Sequence, residues 1–182
     1  MSAAVAQQAA VLNALANPPL FQGIVMDAKG KTVGRISFNS GSSFDNHTSV
    51  VIRQIDGIWI ALPVTDIISG FSTTRATDLI YWYQTKDCTG QPYMSANGPN
   101  PQIVSAPPVA TVTTVPPATA PSIYFAGTPT GMVTVNSTRY APVGSTCDPL
   151  GPDNQGPFTG YMGPVQSVPV SSLGLTLPFK IE

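Results

Sequence analysis

Apolar residues recur along this chain with two different rhythms, and the change falls near residue 20. Residues 3–16 are rich in Ala and Gln, and Val5, Gln8, Leu12 and Leu15 follow one another at alternating helical spacings. That rhythm predicts one helix with a seam about two heptads long. Asn17-Pro18-Pro19 ends it, because proline cannot continue a helix and restricts the residue before it. A helix this short is marginal alone in water. It therefore packs on its own domain or associates with its copies as a stem; an unstructured arm is the third option.

From Phe21 onward the pattern is that of strands. Phe21–Met26 and Lys31–Phe38 read as two strands around the turn Asp27-Ala-Lys-Gly30. Residues 39–49 read as a polar loop. Val50–Ile55, Asp56-Gly57 and Ile58–Val64 form the strongest local signal, since Asp-Gly supplies the positive φ angles of a two-residue hairpin turn. β-Branched Val50, Ile52, Ile58 and Ile60 occupy both arms. Asp78–Thr85 reads as another strand. Its aromatics Tyr81, Trp82 and Tyr83 point to alternate faces, so both faces meet apolar surface. Ser122–Ala126 and Met132–Ser137 read as further strands, and the apolar tail from Val168 is suited to docking on the body.

Proline changes the picture in the middle of the chain. Eight prolines lie from Pro99 to Pro129, and proline cannot donate to a sheet ladder. Edge segments or a polyproline-like excursion over about residues 97–130 are expected there. Residues 141–164, rich in Gly and Pro, are expected to be irregular.

Composition narrows the functional classes. The chain has 8 Lys or Arg and 9 Asp or Glu among 182 residues, with 19 prolines and 16 glycines. Ordinary soluble domains are about one quarter charged. The scattered basic residues form no stripe for nucleic acid. No apolar run approaches the roughly 20 residues that span a bilayer. The first residues lack the basic start and apolar run of a secretory signal. A surface-type composition made without export fits a virus particle, assembled in the host cytoplasm and released by lysis.

Candidate chemistry is sparse. A Ser-His-acid triad would need His47, the sole histidine, and no Gly-x-Ser-x-Gly elbow accompanies it. Asp27, Asp56, Asp87, Asp148 and Asp153 fall where turns favour aspartate. No EF-hand spacing is present, and Gly30-Lys31-Thr32 lacks the first glycine of a phosphate loop. No catalytic residue, metal site or cofactor is expected. The sequons at Asn46 and Asn136 are read as chance triplets. Cys88 and Cys147 both sit in turn-like settings. They are either free thiols or a disulfide, which would close about 60 residues and stabilise by roughly 4 kcal/mol. Among the aromatics, Trp59 is expected in the core. Trp82 and Tyr83 are candidates either for the core or for ligand-facing positions that stack on sugars.

Four passages carry a resemblance: Val25-Met-Asp-Ala-Lys-Gly-Lys-Thr-Val-Gly34, Val51-Ile-Arg-Gln-Ile-Asp-Gly-Ile-Trp-Ile-Ala-Leu-Pro63, Tyr81-Trp-Tyr-Gln-Thr-Lys-Asp-Cys-Thr-Gly90 and Pro169-Val-Ser-Ser-Leu-Gly-Leu-Thr-Leu-Pro-Phe179. They resemble a β-rich module of bacterial surface proteins and of tailed-phage fibre-like proteins, over residues 23–95 and the C-terminal segment. A helical start before a β-domain also looks like phage fibre and decoration proteins, which are commonly trimers.

The expectation is a mainly β fold, an antiparallel β-sandwich or small barrel with one short N-terminal helix and a long Pro-rich loop region. Residues 1–20 are the attachment segment and residues 21–182 the β-rich domain. The function expected is a non-enzymatic structural virion component of a tailed bacteriophage: fibre, tail-associated or capsid-decorating. Its partners would be its own copies in a homotrimer, other virion proteins through residues 1–20, and a host surface glycan. The alternative is an extracellular bacterial adhesin or carbohydrate-binding module.

Overall fold

β-Branched and aromatic residues are frequent in the strands of this chain, and turn residues such as Asp56-Gly57 separate neighbouring runs. The computed structural model describes residues 23–40, 48–65, 70–75, 79–96, 107–129, 131–141, 146–151 and 156–182. The helix expected over residues 3–16, with Val5, Gln8, Leu12 and Leu15, lies outside the described residues, as do Asn46, His47 and Asp153.

The first sheet is a run of local hairpins. β1 (Ile24–Met26) and β2 (Thr32–Ser40) flank the turn at Asp27–Gly30. One oxygen of the buried Asp27 carboxylate accepts the backbone N–H groups of Lys29 and Lys31, at 2.9 and 2.7 Å. The other accepts the N–H of Thr176 at 2.9 Å and so ties the C-terminal tail to this turn. Burial raises the Asp27 pKa, but the donors of Lys31, Thr176 and Lys29, with the Lys31 charge, outweigh it and hold the carboxyl below its ordinary 3.8.

β3 (Thr48–Ile55) and β4 (Ile58–Thr65) pair along their whole length, from Thr48 opposite Thr65 to Ile55 opposite Ile58. The turn between them is the expected Asp56-Gly57, with φ of 49° and 81°. β5 (Gly70–Phe71) continues the sheet, and β14 (Lys180–Ile181) adds to β1. The order is β14-β1-β2-β3-β4-β5, antiparallel throughout.

The second sheet is built from distant segments. Its strands are β6 (Ile80–Tyr83), β7 (Tyr93–Ser95), β8 (Thr111–Thr113), β9 (Ser122–Ala126), β10 (Met132–Val135), β11 (Ser137–Tyr140), β12 (Cys147–Pro149) and β13 (Phe158–Pro169). They run β12-β11-β6-β7-β13-β9-β8, with β10 also on β13. β13 is the spine: residues 158–161 pair with β10, 162–164 with β7 and 165–169 with β9.

Residues 141–164, expected to be irregular, thus contain β12 and the first half of this spine. The composition misleads because the glycines and proline are used inside the strand. A β-carbon at Gly163 would collide with the backbone carbonyl of Gly127, so only glycine permits that approach. Pro164 has no N–H to donate, and its carbonyl accepts the N–H of Gly127 at 2.7 Å. The segment read as one strand over Met132–Ser137 is divided at Asn136. Asn136 donates its backbone N–H to Tyr83 at 2.7 Å and its side-chain amide to the Gln84 carbonyl at 2.6 Å. There the chain leaves β13 and joins β6. Within the Pro-rich stretch β8 is an end strand, whereas β9 is central and free of proline.

The main core lies between the sheets. Ile60, Leu62, Val33 and Val51 of the first face Val112, Ile123 and Phe125 of the second. Phe179 brings the tail into this core and meets Phe71 edge-to-face at 5.0 Å. At one corner the sheets are stitched by backbone: the Ala61 N–H donates to Pro108 at 2.9 Å, and the Ala110 N–H donates to Ala61 at 2.8 Å. The fold is mainly β, two curled antiparallel sheets in the manner of a β-sandwich or half-barrel.

Candidate functional site

The ladder between β2 and β3 stops at Arg35 opposite Ile52, although β2 begins at Thr32. The carbonyls of Thr32 and Val33 are met instead by a side chain: Arg53 Nη1 donates to both, each at 2.8 Å. A bulge between β1 and β2 falls at the same level, at Val25/Met26. Gly34 lets the β3 backbone come close, since a β-carbon there would lie 2.9 Å from the Ile52 carbonyl oxygen. The consequence is a groove of about 500 Å³ on this sheet, lined by Thr32–Arg35 of β2, Ile52 and Arg53 of β3, and Trp59 of β4.

Trp59 is therefore not the core residue that its hairpin suggested. It is partly exposed and forms one wall of the groove. The reason lies in the register: the Asp56-Gly57 turn sets Trp59 opposite the exposed Gln54, on the face turned from Ile60 and Leu62. That polar partner across the hairpin was the signal in the sequence. Arg35 stands exposed in the row containing Ile52, while Arg53 is half-buried. Burial lowers the Arg53 pKa, and its Nε is buried without a hydrogen-bond partner. Among the described residues, no acidic one lines the groove.

Cys88, Cys147, Trp82 and Tyr83 lie outside this groove. Cys88 and Cys147 form a disulfide with Cα atoms 5.8 Å apart. Its turn is held by Asp87, which accepts the Thr89 hydroxyl at 2.7 Å, and by Ser137, whose hydroxyl donates to Thr85 at 2.7 Å and accepts the Cys88 N–H at 3.2 Å. Hydrogen bonds from Thr89 and Thr85 hold the Asp87 carboxyl below its ordinary value. Tyr83 is buried in the second sheet's own core, beneath the Arg139 guanidinium at 6.0 Å. Trp82 packs edge-to-face on Phe158 at 4.7 Å, in a third cluster with Val133, Val135 and Met162. The aromatic strand thus meets apolar neighbours on both faces, as its sequence implied. Asp27, Asp56 and Asp87 sit in turns, but Asp148 is a strand residue opposite Thr138. Among the described residues, no three His, Cys, Asp or Glu side chains are grouped to hold a metal ion. No protein-family model, curated protein or solved structure matches this chain.

Proposed function

We propose that this chain is a non-enzymatic structural component of a tailed-bacteriophage particle (fibre, tail-associated or capsid-decorating), joined to it through residues 1–20. The β-domain is displayed, and a homotrimer is the assembled state. The observation that carries this reading is a set of large apolar side chains left exposed on and beside the β1–β14 pair. Ile24, on β1, is 37% exposed; Ile181, on the adjoining β14, is 54% exposed; Leu177, just before β14, is 61% exposed.

Among the described strands, β14 is also an end strand of the first sheet. End strands and exposed apolar side chains favour further pairing, and assembly into closed symmetry covers both. The sparse charge, 17 side chains in 182 residues, leaves little self-repulsion to oppose close packing of copies. The disulfide suits a particle that meets an oxidising medium after release.

Deletion of residues 1–19 tests the proposal. The expected result is a folded domain that falls from trimer to monomer by light scattering and no longer joins the particle. Normal incorporation of the truncated chain would overturn the reading.

A further inference from the structure

The groove over β2, β3 and β4 has a composition that the structural role leaves unused. Arg35, Arg53 and Trp59 line one opening of about 500 Å³, and among the described residues no carboxylate-bearing side chain lines it. That volume falls among small-molecule sites, which span about 300–1,000 Å³ and combine apolar walls with a few fixed polar groups.

Arg53 is the unusual member. It is half-buried, and its Nη1 donates to the neutral carbonyls of Thr32 and Val33. Those bonds fix the guanidinium plane and occupy Nη1, yet they do not neutralise the charge. A cation in a partly desolvated site attracts an anion more strongly than one in open water. Its planar donors match a carboxylate in particular. Arg35, exposed beside Ile52, supplies a second positive charge at the same opening. Trp59 adds a large amphipathic face.

We propose that this groove binds a carboxylate-bearing sugar, a saccharide unit of the uronic-acid class, with the sugar ring against Trp59 and the carboxylate on Arg35 and Arg53. The arrangement needs both halves. Trp59 alone would accept a neutral sugar, and the arginines alone would accept any small anion. The inference is independent of how residues 1–20 attach the chain, so particle incorporation and sugar binding can each fail without the other.

Calorimetric titration of the 182-residue chain with a glucuronate-containing disaccharide, its neutral glucose counterpart and acetate tests it. The acidic disaccharide is expected to bind at least about tenfold more tightly than either control, and more weakly as salt is raised. Arg35→Gln and Trp59→Ala each should weaken it by about tenfold or more, with the thermal unfolding midpoint checked for both. Arg53→Gln also removes two bonds to β2, so the exposed Arg35 carries the decisive substitution. Trp82→Phe, far from the groove in sequence and packed on Phe158, should leave binding intact. The proposal is overturned by no detectable binding of the acidic disaccharide, by equal binding of the neutral sugar or of acetate, or by acidic binding that survives Arg35→Gln or Trp59→Ala.

Discussion

The two sheets of this protein are held in different ways. In the first, β1 to β5 lie side by side in chain order, and only β14 joins from afar. In the second, neighbours such as β6 and β11, or β7 and β13, are separated by long stretches of chain, and a disulfide spans 59 residues. Local hairpins close short loops at small entropic cost, whereas distant pairings must first bring remote segments together. The first sheet therefore relies on turns and alternation. The second relies on a covalent tie, a glycine contact and one long strand that serves three partners.

The largest test of this contrast is removal of the tie. Replacing Cys88 and Cys147 together by Ala should cost about 4 kcal/mol in chemical denaturation. Hydrogen exchange should quicken in β6, β11 and β12 while β2–β4 stay protected. Equal loss of protection in both sheets would show instead that they unfold as one unit.

Next in size is Gly163→Ala, which drives a β-carbon into the Gly127 carbonyl. We expect a loss of about 3 kcal/mol, concentrated where β13 passes from β7 to β9. An unchanged denaturation midpoint would count against that contact as a requirement of the spine.

Titration separates the sheets by the sign of the pH dependence. Burial, with the neighbouring Tyr124 and Tyr83, pushes Tyr81 of the second sheet from 10.0 up to about 12. The unfolded chain then ionises first, so stability should fall as pH rises from about 10 towards about 12. Tyr81→Phe should flatten that alkaline limb. Asp27 of the first sheet behaves oppositely. Its lowered pKa gives stability that is fully present above the ordinary 3.8 and is lost as pH falls through the folded value. Asp27→Asn should flatten the acid limb. Thermal midpoints measured across pH for the two variants check both signs.

The smallest expected effect is Gly57→Ala in the β3–β4 turn. With φ at 81°, a side chain there should cost about 1 kcal/mol, read as a small fall in the denaturation midpoint. A loss as large as that of Gly163→Ala would erase the distinction between a local turn and a long-range contact.

The difference also decides what could be read in advance. The Asp56-Gly57 hairpin and the strands around it were legible because a two-residue turn sets the register of both arms, and alternation then assigns every face. The same logic, carried one step further, would have put Trp59 opposite Gln54 and outside the core. The groove itself was hidden, since it arises where the β2–β3 ladder stops and Arg53 substitutes for backbone partners. The disulfide was legible only as one of two options, because whether the turn bearing Cys88 meets Cys147, on β12, is set by the distant pairings of β11 with β6 and with β12.

What the sequence by itself determined is the kind of chain: mainly β, low in charge, with hairpins placed by Asp-Gly and Asp27–Gly30. These features depend on residues near one another, whose conformational preferences act before any tertiary contact forms. Only the tertiary structure decided that the Gly- and Pro-rich residues 158–164 belong to the longest strand, that Tyr83 is buried, and that Arg35, Arg53 and Trp59 share one opening. Those outcomes depend on which distant backbone lies alongside. A glycine weakens an isolated strand, but it becomes necessary once another chain segment must pass at backbone distance.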